Sequence, residues 1–254
     1  MAGDDVRGYP PRRTPPARVH PAAPPRRFKP QPPHVYKRRR RVAVLLLNLF
    51  ILLFIRACVP SEHDREMKAW REQADQALQQ PLDVGEEIPP SRPVEMRVPS
   101  VGLTATFDDS NCDFNDGVLA PATDSSACAF TADDKPYALP GTTSSDIAVL
   151  AGSSGSFGPL YNTTSRTPTP SPGDALYLRT QESGERWLRY QATDIHNPDE
   201  EGLSQSAAIW GNVPMPGRLL TITSIQPDPA DSRAVRYAIV GWQLQDVVPA
   251  DQAG

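Results

Sequence analysis

A chain of 254 residues can hold one or two domains, but 29 prolines beside a 39% hydrophobic fraction exclude a chain that folds along its whole length. Charge is unevenly placed: residues 1–41 hold twelve Lys or Arg against Asp4 and Asp5, net +10, which leaves −14 for the remainder of a chain whose total is −4. Such asymmetry predicts two compartments or two partners for the two parts.

Residues 1–41 interleave Pro10-Pro11, Pro15-Pro16, Pro24-Pro25 and Pro32-Pro33 with arginine and have almost nothing apolar to bury. Ordering such a segment costs entropy that no core offsets, so a disordered, polyproline-leaning basic tail is predicted. Two roles fit it. One is contact with anionic lipid; the other is docking to a protein through the short P-x-x-P stretches Pro21–Pro24 and Pro30–Pro33. Tyr9, Phe28 and Tyr36 are too sparse to stack bases, so nucleic acid is not among the expected partners.

Val42 to Val59 is an apolar run interrupted by Asn48 and Arg56 and closed by Pro60. As a helix it would be about 27 Å long at about 1.5 Å per residue, close to the roughly 30 Å hydrocarbon core, so residues 42–60 read as a single transmembrane anchor. Lys37-Arg38-Arg39-Arg40-Arg41 abuts it, which places the N-terminus in the cytoplasm and residues 61–254 outside the cell membrane. A cleaved signal peptide lacks a good small-residue site at Phe54–Ala57, and a lipoprotein acylated at Cys58 would have Arg56 where its pattern departs from a lipobox.

Residues 61–95 read as a stalk helix and linker. Ser61 and Asp64 can cap a helix reaching Gln80, and Met67, Trp70, Ala74 and Leu78 form one apolar stripe suited to packing on the domain or the membrane surface. Pro81–Pro93 reads as extended linker. From Met96 short strands follow: within Arg97–Phe107, then Ile147–Ala151, Ala175–Arg179, Trp187–Ala192, Leu219–Ser224 and Arg236–Trp242. This spacing predicts a mostly-β domain over 96–246, a closed or nearly closed barrel, with a short tail at 247–254; a β-sandwich would fit the periodicity equally well. Outside the cytoplasm Cys112 and Cys128 can pair, two free buried thiols being the alternative.

The order of the motifs separates these folds. Ala148-Val149-Leu150-Ala151-Gly152-Ser153 resembles the A-V-L-A-G-H segment of sortases, and Leu219-Leu220-Thr221-Ile222-Thr223-Ser224 resembles their L-x-L-x-T-C strand. Val98-Pro99-Ser100-Val101-Gly102 is similar to their Pro-x-Val-Gly turn. Pro140-Gly141, Pro172-Gly173-Asp174 and Arg236 follow the same succession of landmarks, most closely that of classes E and F. The resemblance covers about residues 96–245 and implies a sortase-like β-barrel, in an envelope that composition and resemblance together suggest is actinobacterial.

In that family a cysteine attacks a peptide carbonyl, a histidine moves protons and an arginine steadies the oxyanion. Carried over by position these fall on Ser224, Ser153 and Arg236, with Arg233 a rival for the arginine. A serine hydroxyl without a base is a weak nucleophile. The chain is therefore expected to be a degenerate member with no catalytic residues at work, acting as a binding or scaffold protein. Its partners would be an envelope protein, or a peptide in the barrel groove. The alternative is a cysteine-independent transpeptidase or hydrolase using Ser224, with His196 as base. No cofactor is expected, and no metal-ligand spacing is seen; Asp108-Asp109 and Asp199-Glu200-Glu201 read as solvated surface.

Overall fold

The computed structural model describes residues 33–58, 61–78, 82, 84–115, 118–121, 123–132, 137–225 and 236–254. The chain falls into two units, residues 1–59 and 60–254, each described by itself.

In the first unit α1 spans Pro33–Cys58, with proline at a helix start, where its missing N–H is no loss. Residues 33–41, read from the sequence as tail, are thus helical, while residues 1–32 lie outside the described residues. Among the described residues no helix is long and apolar enough to cross a membrane, which does not meet the expectation of a transmembrane anchor over 42–60. Arg41 and Arg56 flank the apolar part of the helix. The uncharged run from Val42 to Ile55 is only fourteen residues, about 21 Å of helix against a hydrocarbon core of about 30 Å. The described apolar side chains of this run are exposed: Leu45 is 67% exposed and Phe50 66%.

The second unit opens with α2, Glu62–Leu78. Its start is a reciprocal cap. The Asp64 amide donates to Ser61 Oγ (3.1 Å), and the Ser61 amide donates to Asp64 Oδ2 (3.1 Å). The expected stripe faces the domain: Ala74 is buried and Trp70 half-buried.

Among the described residues twelve strands follow: β1 Pro93–Val98, β2 Leu103–Asn111, β3 Asp113–Asn115, β4 Val118–Ala120, β5 Ala127–Phe130, β6 Ala148–Gly152, β7 Tyr161–Asn162, β8 Thr167–Pro168, β9 Ala175–Thr180, β10 Trp187–His196, β11 Arg218–Ile225 and β12 Arg236–Val248. Between them lie α3 (Ser154–Phe157), α4 (Glu200–Gln205) and α5 (Ala207–Trp210). Eight strands close a barrel in the order β1-β2-β5-β6-β11-β12-β10-β9, and β3-β4 and β7-β8 form two small hairpins. The barrel is mostly antiparallel, but β6 runs parallel to β11 and β2 to β5. The stretch Arg97–Phe107 is two strands, because Pro99 stops the first and Gly102, at φ 65°, turns the chain into the second.

Alternation along each strand divides the apolar residues between two faces. Leu150, Leu178, Leu219, Val240 and Trp242 fill the barrel interior, and the Trp242 indole N–H donates to Thr221 Oγ1 (3.0 Å). Val84 and Ile88 also pack into this cluster, so residues read as linker contribute to the core. The outer face of β6, β11 and β12 carries a second cluster, with Val149, Leu220, Ile222 and Ile239, on which Ile209 of α5 is packed. Full burial of each such side chain contributes about 1.5–3 kcal/mol. Cys112 and Cys128 form a disulfide, Cα–Cα 5.1 Å, that ties the end of β2 to β5.

Candidate functional site

Strand register builds the site from below. The parallel pairing of β6 with β11 ends at Ala151 opposite Ile222, so Ser153 and Ser224 each lie two residues further, at the same end of adjacent strands. On the other side β12 pairs Ser224 with Tyr237 and Ile225 with Arg236. The three positions carried over from the family resemblance are therefore neighbours in the sheet.

Their side chains are committed differently. Ser153 is the N-cap of α3: its hydroxyl accepts from the Gly155 amide (3.1 Å) and donates to the Asp124 carbonyl. Ser224 is half-buried, and among the described residues its hydroxyl has no hydrogen-bond partner. Arg236 pairs with Ile225, so the pleat directs it to the face opposite Ser224. Its guanidinium is held by Asn197, whose side-chain oxygen accepts from Nε (3.1 Å) and whose carbonyl accepts from Nη2. Arg233 lies outside the described residues. Among the described residues no base stands at Ser224, and an unassisted serine hydroxyl is a poor nucleophile.

His196 sits elsewhere. It pairs with Ile239, so β12 separates it from β11 and Ser224 by two strand spacings, about 9–10 Å, beyond the roughly 2.6–3.2 Å a general base requires. Its Nε2 bonds Asp194 Oδ2 (2.7 Å). Asp194 in turn receives both ends of the Arg218 fork, Nη1 to Oδ1 at 2.9 Å and Nη2 to Oδ2 at 2.8 Å, and Arg218 is buried. Burial would raise the Asp194 pKa, but the Arg218 fork, the Thr193 hydroxyl and His196 outweigh it and hold the carboxyl well below the usual carboxylate range. A bulge between Ala192 and Asp194 turns Asp194 and His196 outward, and Gly241 makes room: a Cβ there would stand 2.5 Å from Asp194 Oδ1.

A second carboxylate, Asp146, is almost wholly enclosed at the start of β6. Burial pushes its pKa up, countered by the Trp70 indole and the amides of Met215 and Ile147. Beside it Tyr137 is pushed up to about 12 by burial and by the Asp146 charge. Neither Asp146 nor the Arg218–Asp194–His196 cluster is found by reading the sequence. A lone Asp before an apolar run carries no pattern, although Gly241 within an apolar strand is a usable sign of close approach. Among the described residues no group of three or more His, Cys, Asp or Glu could hold a metal ion.

No family model matches the chain, and no curated protein matches it. Solved structures do, and sortases of classes A, C and E are among them. Sortase A of Listeria monocytogenes is 16% identical over 63% of this chain and 90% of that one, with a TM-score of 0.37. Sortase E1 of Streptomyces coelicolor, solved with a tripeptide in its active site, is 14% identical over 66% of this chain and 97% of that one, TM-score 0.39. Sortase A of Corynebacterium diphtheriae is 14% identical over 75% and 87%, TM-score 0.38. The sortase-like reading rests on the ordered motifs and the barrel's strand order rather than on superpositions of this quality.

Proposed function

We propose that this chain is a sortase-like binding or scaffold protein of the cell envelope that carries out no transpeptidation. The observation that supports this most is the fate of the histidine position: the Ser153 hydroxyl caps α3 and offers Ser224 no base. Arg236, tethered to Asn197 at the rim of the barrel, is then a contact for a partner's carbonyl or carboxylate. Helix α1, apolar around its whole circumference between Arg41 and Arg56, fits seating in lipid with its basic end at anionic headgroups. The disulfide fits a domain outside the cytoplasm.

A second reading, hydrolysis through Ser224, would need the Asp194–His196 pair, which has the form of an oriented base, to move across β12 to Ser224. Crosslinking of the full-length protein in its native membranes separates the two. A binding protein keeps its crosslinked partner in Ser224→Ala and loses it in Arg236→Ala or on deletion of residues 1–41. Loss in Ser224→Ala, or identical recovery in every variant, would contradict the proposal.

A further inference from the structure

The outer face of β6, β11 and β12 beside Ser224 is covered by the chain's own segment between Leu203 and Met215. Ile209 is 1% exposed against the cluster of Leu220, Ile222 and Ile239. Trp210 stacks on Tyr137 at 5.4 Å between ring centroids, and its indole N–H donates to the Leu203 carbonyl (2.6 Å). The two helices of this segment, α4 and α5, are six and four residues long, too short to persist without such anchors. At its far end the Met215 amide donates to Asp146 Oδ1 (3.0 Å).

The other oxygen of the same carboxylate, Oδ2, accepts the indole N–H of Trp70 from α2. Asp146 is 1% exposed. The remaining donor is the amide of Ile147, also to Oδ1, at 2.8 Å. One enclosed carboxylate thus joins the stalk helix to the segment that covers the outer face. A buried charge that loses a donor is destabilised, and the groups that still hold it are loosened with it. Such coupling is reciprocal: whatever pulls α2 away weakens the hold on Met215, and whatever lifts the segment weakens the seat of α2.

We infer that α2 is a latch, which through the shared Asp146 carboxylate holds residues 203–215 closed over the outer face of β6, β11 and β12 when docked and loosens them when withdrawn. Its observable core, the coupling of α2 to residues 203–215, needs no partner. In Trp70→Phe the aromatic ring still packs on the domain but the N–H to Asp146 is gone.

Hydrogen exchange on the full-length protein, with no partner present, reads this coupling. In Trp70→Phe the amides of residues 203–215 are expected to exchange about tenfold faster, while those of β11 and β12 keep their wild-type rates. Lys68→Ala, on the exposed side of α2, is expected to leave both unchanged. Unchanged exchange at 203–215 in Trp70→Phe would overturn the latch, and so would equal acceleration of segment and barrel. Either outcome leaves the binding reading standing, since that reading is tested by crosslinking.

Discussion

Gly241 is a position where a single added atom has a large consequence. An added Cβ would meet the Asp194 carboxylate at 2.5 Å, and that carboxylate has no freedom to retreat because the buried Arg218 grips both of its oxygens. Gly241→Ala is therefore expected to destabilise the domain by about 2 kcal/mol, read from the midpoint of urea unfolding. Asp194 also sets an acid limit. Its folded pKa is depressed, so its contribution to stability is present above its unfolded value of about 3.9 and is lost as pH falls below that. Stability measured from pH 6 down to pH 2 should drop more steeply in the wild type than in Asp194→Asn; parallel curves would contradict the assignment. None of this is legible as a motif. Asp194 turns outward only because Thr193 bulges, and a bulge leaves no mark in hydrophobic alternation.

At the scale of elements, largely apolar runs locate β6 and β11 to within a residue or so, since strands buried on both faces need no alternation to be seen. The parallel pairings of β2 with β5 and β6 with β11 are not legible, because parallel partners are set by distant crossovers rather than by local turns. Ser61 and Asp64 are legible as a cap, and that cap forms. The membrane anchor expected over 42–60 is not met among the described residues, where α1 is the helix that carries the apolar run. The disulfide makes its own test. Cys112 and Cys128 are separated by 16 residues, so reducing the bond is expected to cost about 3 kcal/mol. That would move the urea midpoint down by roughly 1–3 M, taking about 1–3 kcal/mol per M for the slope; an unmoved midpoint would show that β2 and β5 are held without it.

For the whole molecule, the residues at the family positions are adjacent in the sheet but engaged elsewhere by the chain's own bonds. Ser153 caps a helix, Arg236 is tied to Asn197, and His196 lies across β12 in the grip of Asp194. The family positions are legible as residues in the sequence, and their adjacency follows from the β6–β11–β12 register. Their engagement elsewhere is not, because it depends on Asp124 and Asn197, which carry no family pattern. The most direct measurement is intact-mass analysis of the full-length protein incubated with sortase-signal peptides, alongside Ser224→Ala. A binding protein gives an unchanged mass in both. An acyl adduct on the wild type that disappears in Ser224→Ala would contradict the account and make this chain a serine-dependent enzyme.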